Sequence, residues 1–129
     1  MSSGCSTTIH VIGATNAGKT TFLDHVGQHP EVGLVEVGKM MRAKYPPSYF
    51  AGQSNPKHTA DEAWGMYLDG CARAREAGKR LIFVDGQPRD TKQCIDVINS
   101  PYDKRFLHLW APTEVREARA HAREKGDPE

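Results

Sequence analysis

The sequence predicts an α/β protein in which a short parallel sheet of about four strands lies between two layers of helices. Three observations predict it. Short β-branched runs alternate with longer helical stretches, and glycine and proline fall at the junctions between them. One run, Arg80-Leu81-Ile82-Phe83-Val84, is nearly all apolar, as a strand buried on both faces of a parallel sheet must be. Strands separated by helices are joined by right-handed crossovers, which place ligand sites at the carboxyl ends of the strands.

In chain order, Thr8-Ile9-His10-Val11-Ile12 reads as a first strand, Gly13 to Ala17 as a turn, and Gly18 to about Gln28 as a helix stopped by Pro30. Leu34 to Val37 is a second short strand. Gly38 to Lys44 supports one or two helical turns, closed by Tyr45-Pro46-Pro47 because a residue before proline disfavours the helical region. The stretch from Ser48 to His58 is irregular and aromatic, which fits either part of an acceptor pocket or a surface loop with Tyr49 and Phe50 tucked onto the core. Thr59, with Glu62 three residues on, has the spacing of a capping box and opens the longest helix, to Gly78. The apolar run ending at Val84 is the expected central strand. Asp90 or Thr91 caps a helix to Asn99, Phe106 to Trp110 is a fourth strand, and Thr113 to Lys125 is a last helix. Trp64, Trp110 and the Met40-Met41 pair read as core or interface residues.

A chain of 129 residues fits one domain, spanning residues 1–129, with an acceptor-binding segment of about 38–78 inserted in it. Lys and Arg number 17 against 16 Asp and Glu, a formal charge of +1, and mean hydropathy is -0.60. So even a balance gives no long-range attraction for polyanions, so the expected partners are small nucleotides rather than nucleic acid. No apolar run approaches the roughly 20 residues that span a bilayer, and the first residues lack a basic, apolar leader; a cytoplasmic location is expected. The odd set of Cys5, Cys71 and Cys94, without a Cys-x-x-Cys pair, reads as reduced thiols, and the histidines share no metal-ligand spacing. An open sheet edge beside the fourth strand would make a pair of chains, a homo-oligomer, the natural way to cover it.

Gly13-Ala14-Thr15-Asn16-Ala17-Gly18-Lys19-Thr20 fits the G-x-x-x-x-G-K-[ST] spacing of a phosphate-binding loop, between a predicted strand and a predicted helix. Its glycines let successive N–H groups converge on a phosphate, and the helix N-terminus adds partial positive charge. Lys19 reaches the terminal phosphates and the Thr20 hydroxyl is placed for magnesium, so ATP and Mg2+ are the expected cofactors. After the central strand comes Asp85-Gly86-Gln87-Pro88-Arg89-Asp90, with Gln93 beyond. An acid at the end of a buried strand beside a phosphate loop is where a magnesium ligand is needed as phosphate charge moves. On spacing alone, Asp-Gly is also a common turn and Arg89 a common surface charge.

These residues resemble those of the adenylate kinase family of nucleoside monophosphate kinases. There the corresponding strand ends in Asp-Gly-Phe-Pro-Arg, and here Gln87 stands where the family has phenylalanine. The resemblance implies that Gly86, Arg89 and Gln93 bind the acceptor, with Gln93 reading the edge of its base. Val37-Gly38-Lys39-Met40-Met41-Arg42 resembles the segment whose arginine grips the monophosphate, with Lys39 in place of an acid. Ala111-Pro112-Thr113-Glu114, followed by Arg119 and Arg123, is similar to the last strand-to-helix junction before the lid, and implies catalytic roles for Lys19, Arg89, Arg119 and Arg123. In this register Thr21 takes the place of the family's threonine, while Asn16 replaces a glycine. The family continues with a lid and a further strand and helix, whereas this sequence stops at Glu129.

The leading expectation is therefore a phosphotransferase that moves the γ-phosphate of ATP to a nucleoside or deoxynucleoside monophosphate, with adenylate favoured. A second is a weak or inactive nucleotide-binding protein, free or as a subunit of an assembly. A third is a kinase with another small acceptor. Arg116, Arg119 and Arg123 also alternate with Glu117 and Glu124, as a solvated, salt-bridged helix would.

Overall fold

The structure is a computed structural model that describes residues 6–13, 18–45 and 57–124, without the side chains of residues 57–60, 123 and 124. Along the chain lie β1 (Thr7–Gly13), α1 (Lys19–Val26), β2 (Val32–Glu36), α2 (Val37–Lys44), α3 (Lys57–Glu76), β3 (Leu81–Asp85), α4 (Thr91–Asn99), β4 (Asp103–Leu109) and α5 (Thr113–Glu124). The four strands form one all-parallel sheet in the order β2-β3-β1-β4. This is the expected three-layer α/β/α arrangement, and β3 is central as its apolar run requires.

Alternation along the strands sends residues to two separate packing layers, because successive side chains of a strand point to opposite faces. Val35, Ile82 and Val84 pack with Val37 and Met41 of α2, Ala63, Tyr67 and Cys71 of α3, and Val97 of α4. On the other face Val11 and Phe83 pack around Leu23 of α1, flanked by Ile9, Phe22, Leu34, Leu107 and Leu109. Leu23, Ile82 and Val84 are fully buried, and each such side chain contributes about 1.5–3 kcal/mol through apolar area removed from water. Both clusters meet in β3, which explains why almost none of its residues is polar.

Several boundaries differ from the sequence reading, for tertiary reasons. α3 starts at Lys57, two residues ahead of the expected cap at Thr59. Its Glu62 instead accepts from Lys44 and from the Tyr45 hydroxyl, tying α3 to the end of α2. β2 starts at Val32 and stops at Glu36, so Val37 opens α2 rather than closing the strand. β4 begins three residues early, at Asp103, which pairs with Thr7 and accepts from its hydroxyl at 2.7 Å. Its charged start is tolerated because β4 is an edge strand, half open to solvent. Trp64 stacks beside Tyr67 at the margin of the core, but Trp110 is 73 % exposed and lies outside it. Cys71 and Cys94 are free thiols, Cys71 buried.

His10 is the one buried histidine among the described residues, 1 % exposed on the α3 face of β1. Its Nε2 hydrogen-bonds the Tyr67 hydroxyl at 2.9 Å and its ring stacks on Phe106. Burial pushes the imidazole pKa below 6.5, with a backbone contact at Arg105 opposing and the Lys104 charge adding to the shift. The unfolded chain therefore takes up a proton at a higher pH than the folded one. Stability from the neutral ring is complete above pH 6.5 and is lost as the pH falls through that value. The urea midpoint should drop between about pH 7.5 and about pH 5.5, and drop less in a His10→Asn variant.

Candidate functional site

The chain leaves β1 towards β2, beyond β3, and leaves β3 towards β4, beyond β1. The two crossovers thus run in opposite directions over opposite faces of the sheet, from the adjacent carboxyl ends of β1 and β3, and ligands of open α/β sheets bind at the carboxyl ends of the strands. Asp85, the last residue of β3, is in register with Val11 of β1 and Glu36 of β2, and β1 runs on two residues to Gly13. Period-two alternation puts Asp85 on the same face as Phe83, the face covered by α1, whose Phe22 meets Phe83 edge-on at 5.6 Å. Lys19, first residue of α1, consequently reaches Asp85: Nζ and Oδ1 are 2.9 Å apart, with the side chains 26 % and 28 % exposed. A pair this open to solvent contributes only about 1 kcal/mol to stability, so the fold does not depend on it.

Two glycines, Gly13 at the end of β1 and Gly18 at the start of α1, flank the pair. Gly18, which caps α1, sits at φ +95, a left-handed conformation strained for other residues, and no acid occupies the first turn of α1. The helix dipole at that end is therefore unneutralised by side chains of its own first turn. Gly13 lies so close to β4 that a Cβ there would stand 2.9 Å from the Leu109 carbonyl oxygen. Thr20 and Thr21 are exposed in the first turn of α1, next to Lys19. Asn16 and Ala17 of the loop lie outside the described residues.

Three of the arginines singled out in the sequence come to this end of the sheet from three different elements. Arg119 of α5 places its Nη1 3.5 Å from where a Cβ on Gly18 would stand, so it faces the start of α1 and not only solvent. Arg89 donates from Nε to the Gly86 carbonyl at 2.9 Å. Gly86, at φ +99, abuts Val37 and Gly38, and Arg42 of α2 folds back over Gly38. A continuous set Arg42, Gly38, Gly86, Arg89 therefore links the start of α2 to the turn that follows Asp85. Arg123 has no described side chain, and Arg116 is used within its own turn, on the Ala111 carbonyl and the Thr113 hydroxyl. Lys39, at the family's acidic position, bridges Asp24 and Glu36 on the surface. The irregular segment with Tyr49 and Phe50 lies outside the described residues.

Gln93 is held in a local cap. Its N–H donates to Asp90 Oδ1 at 2.8 Å, while its Oε1 accepts from the Arg89 N–H at 2.7 Å. Gln87, which the sequence reading noted only as a departure, is 3 % exposed, and neither its Oε1 nor its Nε2 has a hydrogen-bond partner. The signal for it was present as a polar residue at a position that is aromatic in the resembled family.

Hard oxygen donors suit magnesium, and Asp85 with the Thr20 hydroxyl supplies two of them. Among the described residues no cluster of three or more His, Cys, Asp or Glu could hold an ion alone, so phosphate oxygens and water would complete such a site. No described helix is long and apolar enough to cross a membrane.

No protein-family model matches the sequence, and no curated protein does. Solved structures match in fold. A chain from the structure of the Pnkp1/Rnl/Hen1 RNA repair complex superposes with a TM-score of 0.69 at 14% identity, over 99% of this chain and 40% of that one. A second, from the Pnkp1/Rnl/Hen1 complex, gives 0.67 at 14% identity, over 94% and 41%. At that identity the likeness is one of fold, and this chain spans about two fifths of the length of the chains it matches.

The geometry separates stability from site chemistry. Gly13→Ala pushes a methyl group against a backbone carbonyl and should lower the unfolding free energy by about 1–3 kcal/mol. Lys19→Ala should lower it by only about 1 kcal/mol. Urea titration of the two variants checks the order.

Proposed function

We propose that this chain is a phosphotransferase of the adenylate kinase-like kind: it binds ATP with magnesium through Gly13 to Thr21 and passes the terminal phosphate to a nucleoside monophosphate. The observation that carries this reading is the Lys19–Asp85 pair at 2.9 Å at the adjacent carboxyl ends of β1 and β3, with Arg119 facing Gly18 just before Lys19 and Arg89 bonded to Gly86 just after Asp85. A cation and an anion that contribute little to stability are positioned to exchange partners when a charged ligand arrives.

In this reading Lys19 swings from Asp85 to the β- and γ-phosphates. Asp85 and Thr20 are the residues that would hold magnesium, which when bound would supply neutralising charge to the phosphates. Arg89 and Arg42 orient the acceptor phosphate, and Arg119, with Arg123 one turn further, meets the charge that builds on the migrating group. An acceptor monophosphate is already ionised near neutral pH, so no general base is needed; positioning and charge neutralisation suffice.

A second reading of the acceptor is an RNA end, favoured by one finding: the fold matches a chain from a structure described as an RNA repair complex. With a formal charge of +1, such a strand would be held by these local arginines rather than by a basic face. The third outcome is a subunit that binds nucleotide without turning it over. Two copies paired along β4 belong to the same proposal, and sedimentation would read their mass.

Phosphorus NMR of magnesium-ATP with a panel of monophosphates and a short RNA separates these readings. New diphosphate from a monophosphate, abolished in Lys19→Ala, is expected. Arg89→Ala and Arg119→Ala should each lower turnover by about 100-fold or more. Unchanged rates in both would remove the arginines from the mechanism, and label on RNA alone would move the acceptor.

A further inference from the structure

Gln87 is the most anomalous polar residue of the site. It lies between Asp85 and Arg89, two groups assigned above to magnesium and to the acceptor phosphate. Its side chain is 3 % exposed and both ends of its carboxamide lack a partner. Buried amides are almost always hydrogen-bonded, because an unpaired one destabilises the fold that contains it. Among the described residues only His10 shares such an orphaned atom, at Nδ1, and His10 borders a cavity of about 70 Å3 that is large enough for water. Gln87 does not line that cavity.

The chemistry of the missing partner follows from both atoms being unpaired. A phosphate would satisfy Nε2 and leave Oε1 orphaned. A partner that offers a donor beside an acceptor would satisfy both, and the edge of a nucleobase is such a group. Gln93, by contrast, has its carboxamide Oε1 accepting from the Arg89 N–H at 2.7 Å, while its backbone N–H donates to Asp90, the ordinary bonds of a helix start.

We propose that Gln87, rather than Gln93, reads the base of the acceptor nucleotide, its Oε1 accepting from and its Nε2 donating to the ring edge. The base reaches the carboxamide by displacing the side chains that cover it in the free protein. This rests on the phosphotransferase reading, and it names the residue that selects among acceptors.

The test is equilibrium binding of AMP, GMP, CMP and UMP to the wild-type chain, to Gln87→Leu and to Gln93→Leu, with thermal unfolding of each. The wild type should prefer one base. Gln87→Leu should weaken that monophosphate by about tenfold or more, level the four affinities, and raise the melting temperature because an orphaned amide is gone. Gln93→Leu should keep the base preference and lower the melting temperature through loss of the Arg89 N–H to Oε1 bond, the Asp90 cap being kept. If Gln87→Leu fails to fold, Gln87→Met, nearly isosteric and without the amide, takes its place. Wild-type base preference surviving in the Gln87 variant overturns the proposal, as does its loss in Gln93→Leu alone. Monophosphates bound without base discrimination overturn this assignment but leave the phosphotransferase reading standing. No monophosphate bound at all removes both.

Discussion

The parallel register that ends β1 and β3 side by side is the constraint on which the rest of this protein depends. It brings the carboxylate at the end of one buried strand within 2.9 Å of the lysine that opens the helix after the other. The two crossovers leave these adjacent ends in opposite directions, α1 over one face of the sheet and α4 over the other, so both helices are fixed relative to the point where the strands end. The pair itself stabilises the fold little, which is what lets it serve a ligand instead.

Around that point the charge is supplied by elements far apart in the chain. Arg42 comes from α2 and folds over Gly38, Arg89 comes from the turn after β3 and donates to the Gly86 carbonyl, and Arg119 comes from α5 and faces Gly18. A Cβ on Gly38 would stand 3.2 Å from the Arg42 Nη1, so a side chain there would press on that guanidinium. This arrangement concentrates positive potential locally in a chain with almost no net charge.

The two glutamines after β3 show how local structure and ligand chemistry divide similar residues. Gln93 occupies the position that a helix start needs, and its Oε1 accepts from the Arg89 N–H there. Gln87 carries the same amide into a buried place that offers it nothing. His10 is a milder version of that tension: one ring nitrogen is satisfied by Tyr67 and the other is not, and burial keeps the ring neutral.

Much of this was legible in the sequence. The apolar run through Val84 marked the central strand, the alternation of β and α runs marked a parallel sheet, and the spacing from Gly13 to Thr20 marked a turn between strand and helix with a lysine at its end. These are local signals, carried by periodicity and by glycine. Other features were not local. That Asp85 faces Lys19 depends on strand register and on which face α1 covers. That β4 begins at Asp103 depends on its being an edge, where a charged start meets water and Thr7 rather than a core. That Gln87 is buried without a partner is a tertiary fact, since burial follows from packing and not from spacing. Sequence periodicity determines the elements; only the tertiary structure decides which side chains from distant elements share one crevice, since that follows from strand order and close approach rather than from spacing along the chain.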